Sequence, residues 1–204
     1  MSNFLTRLIH QFAAEPRNYE LIQFVFGGPI SYAIIRQAIG SIRVDQVLLD
    51  IGGGTGFNKR NLKFDCRYIC LDYDLQKLEG SHTELNDVNY LQGDACCLPF
   101  GSQSVDLSML MAVAHHLTDQ QFSLAVQEAL RVIKPNGRFI YIDPVWLPWW
   151  LPGRLLWFLD RGSYPRTRER IREILSGYGQ LVFERHYTIL HNYIIYILTP
   201  REKA

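Results

Sequence analysis

The spacing of apolar positions changes several times along the 204 residues. Phe4, Leu5, Leu8, Ile9 and Phe12 recur at helical intervals and predict a short amphipathic helix over 2–14. Pro16 ends it, and a second apolar helical stretch runs from Tyr19 to Phe26. Gly27-Gly28-Pro29 interrupts, and helix resumes from Tyr32 to Ile39. From Gln46 onward, strand and helix alternate. Short apolar runs at Val47–Ile51, Cys66–Leu71, Val88–Leu91, Val105–Met111 and Arg138–Ile142 read as strands. Between the first two lies only a short segment, so Phe57 to Asp65 must hold the whole first crossover helix, about two turns. Asp74 caps a helix starting at 74–78. Asp119 to Val132 gathers Phe122, Ala125, Val126, Ala129 and Leu130 on one helical face. Pro135-Asn136-Gly137 reads as a turn, and residues 180–188 and 192–199 as two strands around a turn at His191-Asn192.

Strands separated by helices predict a parallel sheet covered on both faces. The expected fold is therefore α/β: a Rossmann-like, doubly wound, seven-stranded sheet, mostly parallel with an antiparallel C-terminal strand, preceded by N-terminal helices. One domain is expected over 1–204, with a helical cap at 1–44 and an insertion at 143–178.

Composition changes this picture little. Hydrophobic residues make up 48% and charged residues 20%, and the formal net charge is +1, which gives no electrostatic reason to expect nucleic acid as partner. Residues 1–11 lack a signal-peptide layout, and no run of about 18 apolar residues is present, so the expected location is cytoplasmic. Cys66, Cys70, Cys96 and Cys97 lack zinc-ligand spacing; reduced, mostly buried thiols are expected, and no metal.

The candidate chemistry begins at Asp50-Ile51-Gly52-Gly53-Gly54-Thr55-Gly56. An apolar strand ends in a carboxylate, and a loop follows in which a ligand can approach the backbone closely. Alone this pattern is weak. Downstream stand Leu71-Asp72-Tyr73-Asp74, where an acid closes the second strand, and Gly93-Asp94-Ala95-Cys96-Cys97-Leu98-Pro99-Phe100. Then come Val105 through Met111 with Ala112-Val113-Ala114-His115-His116-Leu117, and Leu130-Arg131-Val132-Ile133-Lys134-Pro135-Asn136-Gly137-Arg138.

Taken in order, these motifs resemble the class I S-adenosylmethionine-dependent methyltransferases of the broad small-molecule group, closely over residues 44–143 and in outline elsewhere. The resemblance implies S-adenosyl-L-methionine as cofactor. It implies that Gly52, Gly53, Gly54 and Gly56 pass under the methionine part, with Asp50 near its ammonium. Asp72 would accept from the ribose hydroxyls, with Tyr73 beside it. Asp94 and Ala95 would face the adenine, and Met111 and Ala112 would line the methionine end. Asn136 stands where the family has glycine and tolerates positive φ better than most residues, so the turn should survive.

Each histidine, His115 or His116, has two readings: general base or acceptor-positioning group, and hydrogen-bonded structural residue. The second carries more weight, because many methyl transfers need no strong base. The acceptor is sought in the tryptophan-rich stretch after the fifth strand. Trp146, Trp149, Trp150 and Trp157 suit a small apolar or aromatic acceptor, together with His116. Core packing is the next reading, and a membrane surface the least favoured. Arg161, Arg166, Arg168, Arg170 and Arg172, with Glu169 and Glu173 interspersed, read as a solvated helix face before an anion site. Three rivals remain: a cofactor-binding protein without turnover, a methyltransferase acting on a lipid or macromolecule, and a nicotinamide oxidoreductase. The last lacks an evident Tyr-x₃-Lys.

Overall fold

The computed structural model describes residues 28–79, 87–159 and 164–201. The expected helices over 2–14 and 19–26, and Arg161, lie outside these residues. Helix α1 (Gly28–Ile39) precedes strand β1 (Val47–Ile51), helix α2 (Phe57–Leu62), strand β2 (Arg67–Asp72) and helix α3 (Leu75–Glu79). Strands β3 (Val88–Gln92) and β4 (Val105–Met111) follow, then a 3-10 turn at Ala114–His116, helix α4 (Asp119–Val132) and strand β5 (Ile133–Pro144). Helices α5 (Leu151–Leu159) and α6 (Arg168–Tyr178) lead to strands β6 (Gly179–Thr188) and β7 (Asn192–Pro200).

The seven strands form one sheet in the order β3-β2-β1-β4-β5-β7-β6. Strands β1 to β5 pair in parallel, while β7 runs antiparallel to both β5 and β6. The order reverses direction between β1 and β4, the switch point at which an open α/β sheet leaves a crevice beyond its carboxyl ends.

The sequence builds this sheet through alternation. Leu49, Ile51, Phe139 and Tyr141 face α4 and α6, packing on Phe122, Val126, Ile171 and Leu175. Their neighbours Leu48, Ile140 and Ile142 face the other way, onto Tyr32, Ile35 and Ile39 of α1 and Leu62 of α2. Successive strand side chains point to opposite faces, so a strand covered on both sides reads as an unbroken apolar run. A capping box starts α4: the Thr118 side chain accepts from the Gln121 amide, and the Gln121 side chain accepts from the Thr118 amide.

Two local expectations are corrected. Pro135-Asn136-Gly137 lies within β5 as a bulge, where the pairing with β4 shifts between Val105 and Leu107. Asn136 is not among the residues with positive φ. The bulge is held by Lys134, whose Nζ sits 2.8 Å from Asp106, and it needs Gly137, where a Cβ would lie 2.6 Å from the Asp106 carbonyl oxygen. Cys66 and Cys70 are buried, but Cys96 is half-buried and Cys97 exposed.

Candidate functional site

Three loops meet at the carboxyl edge of the sheet. The amides of Gly52 and Gly53 both donate to the Leu71 carbonyl, at 2.6 and 3.1 Å, which ties the glycine loop to the end of β2. The Gly93 amide donates to the Asp72 carbonyl at 3.0 Å and ties in the loop after β3. Asp72 is buried there: its Oδ2 accepts from the Gly54 amide and its Oδ1 from the Asp74 amide, both at 2.9 Å. Asp94 is exposed, and its Oδ1 closes its own turn by accepting from the Cys96 amide at 2.8 Å. Ala95 packs against the core beside it. Tyr73, 79% exposed, stands at the rim. The structure thus brings Asp72, Asp94 and the glycine loop to the same edge.

The glycines have distinct physical reasons. Gly52, Gly54 and Gly56 adopt φ of 75°, 56° and 76°, the left-handed region that L side chains rarely enter. At Gly53 the constraint is space: a Cβ would fall 2.5 Å from Asp50 Oδ2 and 2.7 Å from Cys70 Sγ. Above Gly54 the surface is open, since a Cβ would meet nothing closer than Lys77 Cδ at 3.7 Å.

Asp50 lies beneath this loop. It is 0% exposed, its Oδ2 accepting from the Tyr68 hydroxyl at 2.6 Å and from Asn58 Nδ2 at 3.1 Å. Burial pushes its carboxyl up to about 6, against the downward pull of those hydrogen bonds. The resemblance places Asp50 beside an ammonium. The structure gives its oxygens to Tyr68 and Asn58, and it braces the loop from below.

At the end of β4 the backbone is strained. Ala112 has φ 57°, a left-handed conformation in a residue with a Cβ, and its amide donates to the Ile142 carbonyl at 2.9 Å. Met111, half-buried, precedes it, and Val113 fills the space where a Gly52 Cβ would collide. The 3-10 turn follows at once. His115 is buried and held twice by Asp143 at the end of β5: its amide donates to Oδ2 at 3.0 Å, and Nδ1 lies 2.6 Å from Oδ1. The Tyr141 hydroxyl donates to the same Oδ2 at 3.2 Å. His116 is exposed, its ring 4.1 Å from that of His115.

Residues 49–141 match the methyltransferase domain family. Over this stretch, which is just under half of the chain, the sequence is similar to methyltransferase domains. It is 29% identical over 112 residues to the demethylmenaquinone methyltransferase of Paenarthrobacter aurescens, covering 52% of this chain and 44% of that protein. It is 31% identical over 132 residues to the ubiquinone/menaquinone biosynthesis C-methyltransferase UbiE of Cereibacter sphaeroides, covering 60% of this chain and 50% of that one. The match therefore spans about half the length of these curated relatives. Among solved structures, the YcgJ protein of Bacillus subtilis superposes with a TM-score of 0.67 at 18% identity, covering 85% of this chain and 99% of that one. Geranyl diphosphate C-methyltransferase of Streptomyces coelicolor superposes at 0.66 and 14%, covering 84% and 77%. At these identities the solved structures show the fold alone.

The tryptophan-rich segment follows β5 directly, and the structure divides its four indoles. Trp157 is buried, in edge contact with the rings of His115 at 5.7 Å, His191 at 5.2 Å and Trp146 at 6.3 Å. Trp150 is half-buried and donates Nε1–H to the Leu190 carbonyl at 2.8 Å. Trp149 points outward, 72% exposed, and touches only the Trp150 ring among them, edge to face at 6.2 Å.

The arginines after this segment are absorbed by structure. Arg166 is buried; Nε donates to Asp119 at 2.7 Å, Nη1 to the Ala114 carbonyl at 2.7 Å and to the Tyr164 carbonyl at 3.2 Å, and Nη2 to the Leu117 carbonyl. Its guanidinium also lies 5.1 Å from the Phe122 ring centre. Arg170 pairs with Asp119 and Glu173, and Arg168 and Arg172 both pair with Glu184. Sequence reasoning missed Asp143, and it read Arg166 as part of a solvated helix face, whereas Arg166 is buried. Asp143 carried a usable signal, the same apolar strand ending in a carboxylate that marked Asp50 and Asp72. Arg166 carried none that set it apart from the arginines around it.

Proposed function

We propose that this chain transfers a methyl group from S-adenosyl-L-methionine to a small, apolar or aromatic acceptor. The observation that carries the reading is the convergence of Asp72, Asp94 and the open backbone at Gly54 on one edge of the sheet. When bound, the cofactor supplies a methyl group on a sulfonium, already activated for in-line displacement. The protein's work is then alignment and exclusion of water.

Each part has a physical role. The left-handed glycines keep the loop flat enough for close approach. Asp72 offers a carboxylate to paired hydroxyls, and Asp94 and Ala95 frame the neighbouring position for a purine. Met111 and Ala112 border the reacting end. The strained Ala112 sets the direction in which the next turn leaves the sheet. Asp143 at Nδ1 of His115 selects the tautomer whose basic nitrogen is Nε2, which suits a base for an acceptor carrying a proton of high pKa. The indole N–H of Trp157 is buried without a hydrogen-bond partner among the described residues, so an oxygen on the acceptor would relieve a donor that is costly to leave unmet. The relatives named for quinone rings favour the same kind of acceptor.

The test is calorimetry with S-adenosylmethionine and its demethylated product, followed by a product assay against phenols, quinols and lipids. Binding of the cofactor with turnover on phenols or quinols supports the reading, and turnover on lipids alone favours the rival that acts on a lipid. No binding of either cofactor form rejects it, and binding without turnover favours a protein that has kept the fold and lost the reaction.

A further inference from the structure

Helix α5 is apolar on both sides. Its inner side is fixed to the fold: Gly153 is buried where a Cβ would lie 2.7 Å from the Trp150 ring, and Trp157 is buried one turn later. Its outer side holds Leu151 at 70% exposure and Leu155 at 61%, one turn apart, with Trp149 beside them at 72%. Large apolar side chains grouped on an exposed face mark a surface that meets a partner. We propose that the outer face of α5 docks on an anionic lipid surface.

Charge and area select this occupant. From Val145 to Leu159 the only charged residue is Arg154, and no carboxylate occurs. Arg154 is exposed on the same helix, so the face offers large apolar side chains with a cation among them, the pairing that suits acyl chains below and anionic headgroups above. Trp149 at the rim has an apolar body and a polar N–H, which favours the boundary between the two. A second copy of the chain fits less well. A two-fold contact would bring Arg154 toward its own equivalent with no acid from this stretch to answer it. Three side chains also fall short of the roughly 800 Å² per partner that a stable dimer buries. No described helix is long and apolar enough to cross a membrane, so the contact lies in the plane of the surface.

The experiment is co-sedimentation of the full chain with vesicles of equal parts phosphatidylcholine and phosphatidylglycerol, and with phosphatidylcholine alone. The wild type is expected to bind the mixed vesicles more strongly. The double variant Leu151→Gln/Leu155→Gln should lose about tenfold or more in partitioning, from the apolar area withdrawn. Its affinity for S-adenosylhomocysteine by calorimetry should be unchanged, which reports an intact fold. Arg154→Gln should weaken binding to the mixed vesicles only. Brominated phospholipids should quench wild-type fluorescence, and Trp149→Phe should remove most of that quenching. Failure of the wild type to bind, equal binding by the double variant, or quenching untouched by Trp149→Phe would each overturn the proposal. So would a wild-type dimer, seen by light scattering, that the double variant dissociates.

Discussion

Gly54 donates its amide to Oδ2 of Asp72 across 2.9 Å, although Gly54 lies in the loop after β1 and Asp72 ends β2. The carboxylate proposed for ribose hydroxyls is therefore also a brace for the glycine loop. Its second oxygen accepts from the Asp74 amide, so the side chain is fixed at both ends before any ligand arrives. Asp72→Asn keeps the shape but sets an N–H₂ against one of two amide donors. Affinity for S-adenosylhomocysteine is expected to fall about 10- to 100-fold, the loss of a charge-assisted hydrogen bond. Calorimetry measures this, and an unchanged dissociation constant would remove Asp72 from the binding site.

Gly53 and Gly54 should respond differently to alanine. At Gly53 the new methyl meets the Asp50 carboxylate and the Cys70 sulfur in a closed space, and overpacking of this kind costs about 1–3 kcal/mol. At Gly54 the space is open, and the cost is the left-handed φ of 56°, about 1 kcal/mol. Urea denaturation should therefore show Gly53→Ala as the less stable variant. Cofactor affinity should fall in Gly54→Ala, because its methyl would project into the open surface. The reverse order of stabilities would contradict the packing described beneath the loop.

Asp50 predicts a pH dependence with a definite sign. Its folded carboxyl sits at about 6, above the ordinary 3.8, so the folded chain holds that proton more tightly than the unfolded chain does. The resulting stability is fully present below pH 3.8 and is lost as pH rises through about 6. The window corresponds to about 3 kcal/mol if the whole shift is realised. Asp106, Asp119, Glu128 and Glu184 are held below their usual range by basic partners and hydrogen bonds, although burial opposes this in each, and they act in the opposite direction. The useful quantity is thus a difference. Between pH 4 and pH 7, the stability of the wild type minus that of Asp50→Asn should decline. A flat or rising difference would show that Asp50 is ionised without penalty.

What the sequence disclosed follows from how local each signal is. The sheet was legible because strands covered on both faces are unbroken apolar runs, and Asp119–Val132 was legible because its apolar face repeats at helical spacing. The glycine loop and Asp72 could be placed because a strand end followed by glycine or acid is a contiguous pattern. The bulge at Pro135–Gly137 was mistaken for a turn, since its geometry depends on Asp106, distant in sequence. The burial of Asp50 was hidden for a similar reason: Tyr68 and Asn58, which take up its oxygens, belong to other elements. Trp149 and Trp157 look alike in the chain, but Trp149 stands exposed just before α5 begins and Trp157 is buried on that helix's inner side.

His115 and Asp143 pose a question that kinetics can answer. A histidine held at both its amide and its Nδ1 by one buried carboxylate is oriented, whether or not it accepts a proton. Asp143→Asn would preserve size while removing the charge that fixes the tautomer. If the pair serves as base and orienter, kcat with a phenolic acceptor should fall about 10²- to 10⁴-fold, and the KM for S-adenosylmethionine should stay near wild type. The acidic limb of the pH–rate profile should also move. A purely structural pair would instead lower stability and leave the profile in place.

Arg166 joins the tryptophan-rich segment to the turn that carries both histidines. One buried guanidinium serves the carbonyls of Ala114, Leu117 and Tyr164 and the carboxylate of Asp119. The surrounding backbone adds bonds in both directions: the Tyr164 amide donates to the His115 carbonyl at 3.0 Å, and the Trp146 amide to the Arg166 carbonyl at 2.8 Å. No other side chain presents five donors in a planar fork, so lysine cannot replace it. Arg166→Ala removes the guanidinium from three carbonyls and from Asp119, which keeps only Arg170, and is expected to cost about 3 kcal/mol. Arg166→Lys should recover only part of this. Arg172, whose partner Glu184 it shares with Arg168 near the surface, should cost under about 1 kcal/mol on the same change to alanine. Denaturant midpoints of the three variants give the comparison, and equal losses at Arg166 and Arg172 would mean that the buried network contributes no more than a surface ion pair.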